Sequence, residues 1–584
     1  MHPWAYVNDA RFDAYMVSLV SSDGWEYVGP VEKAPWDRVA GTSVLGAHNV
    51  TFDQRVLERL QQDRTVPAFR PEEWVDTADL AVFLRYPRYL EGVCKLAYGA
   101  SPDKTIRSKM DGLRLVDARA QGFEDKLLQY CLEDSRYAFR FWMENHQKWP
   151  GSERKISRLN RESAMHGVRI DWEAVEAAEK SLKLQLFQCE EAIPWNGDDK
   201  LLSPKALRKE AAKHKLEVPA SLDQRDPVAK AWMEANAPQY PWLMAVRNWR
   251  RINTLLSKVQ NLAAGRRPDG RFSFESRYMG AVNTGRFAGG PEKDSSDNRF
   301  NMYNLPKKPM FDVDLRGFIV PDPGHLLWVY DFAQIEARLL LWRAGDKEML
   351  ENCKRYDLYE AYARARLGYS DPRPLREVDK DLRQQSKAIV LGCGYSCGPS
   401  KHKDTCEAVH GRVITEDKAK EEVFGYREAN PKVVALWQEH QLWLGVAAEK
   451  GAKAYEIPLP SGRSLSYFDL EVTGEFDYKG KPRRGYRAST TRGGDKDKLY
   501  GGKMTENEIQ AIARDVLCDA WLRSHDAGYP VIWSVYDELI GQVPVEGAKE
   551  ATEKLPTLLA QTPEWLGDCP MAVEGELLER YRKV

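Results

Sequence analysis

The sequence predicts a multidomain chain of mixed α/β and α+β class. Three observations carry that expectation. At 584 residues the chain is long for a single core and calls for two or more domains. Two apolar, strand-like runs, His325 to Tyr330 and Val531 to Tyr536, each end in an acidic residue, Asp331 and Asp537. Around them lie long stretches of helical spacing, including Trp172 to Glu191, Ala231 to Ala264 and most of 346–450.

Taken in order, residues 1–148 mix strand and helix signals. An apolar strand within Val39 to Val50 runs into Ala47-His48-Asn49 and is followed by Asp53 on a helix. Asp76-Thr-Ala-Asp79 opens a second helix, and Tyr130-Cys-Leu-Glu-Asp134 lies on a third. From about 150 the pattern is helical. Residues 272–345 return to strands, 346–450 are helical, and hairpin signals at 453–487 precede a helix from Thr505 to Ala527 and a final hairpin. There are no internal repeats or low-complexity tracts.

Composition excludes some functions. A formal net charge of −1 leaves no global basic field, so any nucleic-acid contact must be local. Local clusters exist at Arg247, Arg250, Arg251 and Lys258, at Arg266-Arg267, and from Lys479 to Arg487; each is by default a solvated face. Arg247 to Lys258 is the best candidate for phosphates, because Trp249 and Leu255-Leu256 give that helix an apolar side. Nine cysteines without a paired framework point to a reducing compartment. No transmembrane run or signal peptide is visible, so the expectation is a soluble protein of the cytoplasm, the host's if the source is viral. Cys393, Cys397, Cys406 and His410 invite a zinc reading. The first two lie in a stretch better explained otherwise, and the spacing is unlike a zinc ribbon, so no zinc site is expected.

Chemistry concentrates in three places. An acidic residue at the exposed end of a buried strand is a rigidly held anionic ligand, and two that converge can hold a pair of hard cations. Between them stands Arg383-Gln-Gln-Ser-Lys387-Ala-Ile-Val-Leu391-Gly-Cys-Gly-Tyr395. Read as a helix, positions 383, 387, 391 and 395 share one broad face that offers two cations, an apolar side chain and a ring. That order suits a polyphosphate with a base attached. An ordinary amphipathic helix would show the same spacing. Gly392 and Gly394 cost such a helix about 1 kcal/mol each, which suits close approach of a bulky partner.

Together these segments resemble the motifs of family A DNA polymerases, the polymerase I-like enzymes, in a wording closest to bacteriophage members. Asp331-Phe-Ala-Gln-Ile-Glu336-Ala-Arg338 resembles motif A, Arg383 to Tyr395 motif B, and Tyr536-Asp537-Glu538 motif C. Thr284-Gly-Arg286, Asn304-Leu-Pro306, Leu459-Pro-Ser-Gly-Arg463 and Glu506-Asn-Glu-Ile-Gln510 match in the same order. The resemblance implies a right-hand polymerase domain over 149–584, with thumb at about 172–271, palm at about 272–345 and 451–584, and fingers at about 346–450. A ribonuclease-H-like 3′–5′ exonuclease domain would occupy 1–148. No room remains for a separate 5′-nuclease domain.

It also implies residue roles. Asp331, Asp537 and the carbonyl of Phe332 would ligate two Mg²⁺, with Mn²⁺ as a substitute, and Glu538 would support them. Arg383 and Lys387 would grip the dNTP, Lys387 also giving a proton to pyrophosphate. Leu391, Tyr395, Gln334 and Glu336 would complete the nucleotide site, Glu336 crowding the sugar 2′ position. Arg286, Gln510, Thr284 and Tyr536 would touch the primer-template. Partners would be primer-template DNA and dNTPs, extending to a replicative helicase, primase or single-strand-binding protein, with no membrane. The activity would be DNA synthesis in phage replication. A single-subunit RNA polymerase and a non-catalytic DNA-binding relative are the alternatives; Glu336 opposes the first, and the complete set of carboxylates and cations opposes the second.

Three departures stand out. Leu391 replaces the usual Phe or Tyr, and Tyr536 the usual His before the motif C aspartate. Asn49, Asp53, Tyr130 and Asp134 resemble the second and third exonuclease motifs, but no Asp-x-Glu first motif occurs near the N-terminus. The chain begins too late to include one, and poor or absent proofreading is expected.

Overall fold

The architecture is set by one strand, His325–Phe332, that is buried on both faces. Alternation sends Trp328, Tyr330 and Phe332 into the larger hydrophobic core and Leu327 and Val329 into a second one. A strand buried twice reads as a continuous apolar run, as this one does up to Asp331. The strand is central in an antiparallel four-stranded sheet. On one side it pairs with Glu538–Pro544, which forms a hairpin with Val531–Val535; on the other it pairs with Val573–Leu578. Gly541 is needed in this sheet, because a Cβ there would lie 2.2 Å from the Trp328 ring.

The computed structural model describes residues 3–583 apart from 103–104, 111, 224–225, 291–299 and 477–480. Lys479 of the last basic cluster lies outside the described residues. Helix Gly501–Asp526 crosses the larger core and is buried along most of its length, through Met504, Ile509, Ile512, Val516 and Trp521. Helices alone fill 347–449. They are followed by an antiparallel sheet of Ala454–Pro458, Ser464–Phe476, Pro482–Ser489 and Asp497–Leu499.

Before the central strand, Trp172–Ala192 packs along Pro241–Ala263. The continuous helix expected from Ala231 to Ala264 is in fact two, Pro227–Asn236 and Pro241–Ala263. Pro238 and Pro241 account for the break: proline has no N–H to donate and tolerates only the first turn of a helix, where Pro241 sits. Leu255, Leu256 and Val259 face the core, while Arg247, Arg250 and Lys258 lie on the remaining faces.

In the N-terminal region Val17–Val20 pairs with Glu26–Gly29, and Val44–Ala47 runs parallel to Glu73–Asp76. Among the described residues the two pairs are separate sheets. Helix Glu124–Asn145 packs on the first pair, where the Ser18 hydroxyl donates to the Cys131 carbonyl at 2.9 Å. This region is tied to the rest by buried polar links. Asp79 accepts from Arg88 at 2.8 Å and from Ser157 at 2.6 Å, and Arg161 donates to the Trp74 carbonyl at 2.8 Å.

Candidate active site

Asp331 and Asp537 converge through backbone pairing. The Phe332 N–H donates to the Asp537 carbonyl at 3.0 Å, which fixes the motif C turn against the end of the central strand. Tyr536 makes that turn possible by adopting a left-handed φ of 54°. Asp331 lies between Glu538 on one neighbouring strand and Glu574 on the other, so three carboxylates form a row across the sheet. Like charges directly opposite one another destabilise a sheet. A cation relieves them: Lys583 Nζ donates to Asp331 Oδ2 at 2.7 Å and to Glu538 Oε2 at 3.1 Å. Glu538 is buried and also accepts from the Tyr581 hydroxyl at 2.5 Å, with Arg316 donating to that hydroxyl at 2.8 Å. Burial, reinforced by Glu336 and Asp331, raises the Asp537 carboxyl to about 7 against the pull of Arg286 and Lys583. This hard, anionic oxygen set fits divalent cations, and the ammonium of Lys583 already sits where positive charge is required.

A second set gathers beside it from four elements. Arg286 reaches Glu336 Oε1 at 3.3 Å and donates to Gln510 Oε1 at 2.8 Å, and Tyr395 donates to Glu336 Oε2 at 3.4 Å. Burial raises the Glu336 carboxyl, opposed by Arg286 and by hydrogen bonds to Gln510 and Tyr395. Tyr395 is not on the motif B helix: Lys380–Cys393 ends before it, and the ring turns back toward Glu336. The stride of four from 383 therefore holds only to Leu391, which is exposed.

Arg383 and Lys387 do share a helix face. Their charged ends lie 5.3 Å and 6.0 Å from the Tyr359 ring, and Arg383 is 3.6 Å from Asp357. Burial raises the Tyr359 hydroxyl to about 12, opposed by Arg383 and reinforced by Asp357, Glu574 and Asp331. Burial, Arg383 and Lys307 all lower the Lys387 ammonium.

Other expected residues are placed differently. Thr284 is buried and cannot face a groove; its carbonyl accepts from Arg463 at 3.3 Å in the turn that carries Arg286. Gln334 spends its side-chain oxygen on the Leu358 N–H at 3.1 Å, positioning the helix that bears Tyr359. Tyr536 is exposed, and its hydroxyl donates to Asn304 at 3.3 Å. In the N-terminal region Asn49 takes a left-handed φ of 71° and its N–H donates to Asp76 at 2.9 Å. Asp53 follows on an exposed face of Val50–Gln62, and Tyr130 and Asp134 lie one turn apart on Glu124–Asn145. Among the described residues no group of three metal-capable side chains includes Asp53 or Asp134, nor Asp331 or Asp537.

Sequence reasoning missed Tyr359, Lys583, Tyr581 and Asp357. Nothing local marks Lys583 or Tyr581, because their partners lie across the sheet. Asp357-Leu-Tyr359 reads as an ordinary helix cap, which Asp357 also is.

Comparison with known proteins points to one family. The model of the family described as DNA polymerase family A matches residues 173–443, a span that holds Asp331, Arg383 and Lys387 but stops short of Asp537. The DNA polymerase of Bacillus phage SP02 is 26% identical over 92% of this chain and 89% of its own length. The thermostable DNA polymerase I of Thermus thermophilus is 24% identical over 74% of this chain, which spans only 47% of that enzyme. Among solved structures, the POL domain of Pol1 from M. smegmatis, in complex with DNA primer-template and dNTP, matches with a TM-score of 0.65. It is 18% identical and is covered over 93% of its length by 97% of this chain. Among the described residues no helix is long and apolar enough to cross a membrane.

Proposed function

Since the chain belongs to the family A DNA polymerases, we propose that its carboxylate row and motif B cations carry out template-directed DNA synthesis by nucleotidyl transfer, in phage DNA replication. The observation that supports this reading is the Phe332–Asp537 backbone hydrogen bond, which joins the two strand ends that carry Asp331 and Asp537. Asp331, Asp537 and the Phe332 carbonyl would hold two Mg²⁺, or Mn²⁺. Held there, divalent cations would supply acidification of the primer 3′-hydroxyl and charge neutralisation of the triphosphate and pyrophosphate.

The chain's own groups do the rest. Arg383 and Lys387 grip the triphosphate, their approach fixed by Asp357 and Tyr359. Lys387, whose ammonium is made more acidic by burial and by Arg383, gives its proton to pyrophosphate. Glu336 is held by Arg286 and Tyr395 against the sugar's 2′ position, the handle that separates ribo- from deoxynucleotides. Arg286 and Gln510 probe the minor groove, where acceptors common to all base pairs report shape rather than sequence. Tyr536, with Asn304, supports the primer terminus. On this reading the thumb, palm and fingers follow the boundaries expected from the sequence, and the N-terminal region proofreads poorly or not at all.

Primer extension in Mg²⁺ is the test. Asp331→Ala and Asp537→Ala should abolish extension while leaving primer-template affinity within a fewfold of the parent. Retained extension in Asp537→Ala, or a parent protein that binds DNA without extending it, defeats the assignment.

A further inference from the structure

A second cluster of metal-capable side chains lies beyond the end of the motif B helix. Cys393 closes Lys380–Cys393, Cys397 sits in the following turn, and His402 and Cys406 stand one turn apart on Pro399–His410. Cys393, His402 and Cys406 are buried to within 2% of full burial, and Cys397 is partly exposed. The Cys393 sulfur is 3.7 Å from His402 Nδ1, and the Cys406 sulfur lies along the ring edge, 3.5 Å from Nε2 and 3.9 Å from Nδ1. Cys397 completes a group with Cys393 and His402 whose donor atoms lie within 4.8 Å of one another. A tetrahedral zinc ion with bonds of about 2.3 Å to sulfur and about 2.1 Å to nitrogen spaces those ligands about 3.6 Å apart. Cys393 Sγ and His402 Nδ1 are already at that separation, and Cys397 lies within 4.8 Å of both, whereas Cys406 Sγ groups with His402 and Glu422.

The other edge of the imidazole decides which nitrogen faces the metal. His402 Nε2 is 2.8 Å from Glu422 Oε2, whereas nitrogen and oxygen ligands of one zinc ion lie about 3.4 Å apart. The contact is therefore a hydrogen bond. Glu422 is itself anchored by both Arg412 nitrogens, at 2.9 and 2.6 Å, and by Gln385 at 3.0 Å. A carboxylate behind the imidazole fixes its tautomer and turns the free nitrogen toward a metal. Gly392 keeps that nitrogen clear, since a Cβ there would approach Nδ1 to 3.0 Å. The set read from the sequence, from which no zinc site is expected, has His410 in place of His402; Gln384 Nε2 lies 3.4 Å from His410 Nδ1 and donates to the His410 carbonyl at 3.2 Å.

We propose that Cys393, Cys397 and His402 Nδ1, joined by Cys406 once its thiol turns from the Nε2 edge of the imidazole, form a structural site for a zinc-class divalent cation, separate from the Mg²⁺ site. Binding breaks three S–H bonds and forms three metal–thiolate bonds, with the protons released to solvent. Four protein donors leave no open position, so the role is to fasten. The site joins the end of the helix carrying Arg383 and Lys387 to Pro399–His410, and through Glu422 to Glu416–Ala429. Arg427, which donates to the Cys397 carbonyl at 2.9 Å, and Arg412 offset the extra negative charge.

Full-length protein, purified reduced and without chelator, should carry about one zinc per chain by mass spectrometry of the metal. Zinc-stripped protein titrated with Co²⁺ alone should develop thiolate charge-transfer bands and the intense visible bands of a tetrahedral site. Cys397→Ser, at the partly exposed ligand, and His402→Ala should each lose that spectrum, whereas Cys189→Ser should retain it. The spectrum of the parent decides the matter even where a variant fails to fold. Reduced protein without zinc that gives only the weak bands of octahedral Co²⁺ overturns the site. So does a Cys393–Cys397 disulfide in freshly isolated protein.

Discussion

Beneath the turn that carries Arg286 lies a buried ion pair whose removal has a calculable cost. Arg514 is fully buried; it donates to Glu153 through both terminal nitrogens, one contact being 2.8 Å, and through Nε to the Gly285 carbonyl at 3.1 Å. Burial alone would raise Glu153, but the Arg514 and Arg463 guanidiniums hold it at about 2, below its ordinary 4.5. At about 1.4 kcal/mol per pH unit, that depression contributes ~3 kcal/mol of stability. The contribution is present above pH 4.5 and is lost as pH falls toward 2. Arg514→Met keeps the chain length and strands the Glu153 charge, with Arg463 still 3.9 Å away. The expected cost at neutral pH is about 3 kcal/mol, the low end for a broken buried pair. Because the parent alone draws strength from ionised Glu153, the gap should narrow on acidification from pH 7.5 to pH 4. Adding Glu153→Gln should recover at least half the loss. With the Gly285 carbonyl released, Arg286 loses its support, so KM for primer-template should rise more than kcat falls. Denaturant midpoints at the two pH values and steady-state extension read all of this. A single variant as stable as the parent, a double variant no better than the single, or a gap that widens in acid would falsify the ion-pair account.

Four further outcomes are expected. Glu336→Ala should reduce discrimination against ATP relative to dATP by tenfold or more in single-nucleotide incorporation, and unchanged selectivity would refute the steric role. Leu391→Tyr should raise incorporation of dideoxynucleotides in a chain-termination assay; no change would remove this position from the sugar contact. Lys583→Ala, by taking positive charge from Asp331 and Glu538, should lower the Mg²⁺ concentration for half-maximal extension severalfold, and an increase would mean that Lys583 assists rather than competes. On a 3′-labelled mismatched primer, parent and Asp134→Ala should be equally slow to shorten the strand; rapid shortening that disappears in the variant would restore a proofreading role to the N-terminal region.

The carboxylate pair was legible because strands advertise themselves by period, and a strand buried on both faces can end in an acid only where it emerges. Arg383, Lys387 and Leu391 were legible because a helix repeats locally. The same rule overran at Tyr395. Gly392 and Gly394 were noticed as weak points, yet the helix stops at Cys393 and the ring reaches Glu336 from a turn. Pro238 and Pro241 carried an equally local signal, and it outweighed the apolar spacing that suggested one helix.

What stayed hidden depends on pairing between distant segments. The row Glu538, Asp331, Glu574 exists only in the register of three strands, and the need for Lys583 follows from that row rather than from anything near position 583. Thr284 shows the converse: its place in a matching motif suggested contact with DNA, while burial assigns it to the scaffold behind Arg286. The cysteine cluster combines both cases. Cys393 and Cys397 are neighbours in sequence, but choosing His402 over His410 requires knowing that Glu422, from the next helix, stands behind one imidazole and not the other. A charged or ligating side chain is assigned by what lies behind it, and that information is held in the packing of elements, not in the spacing of a motif.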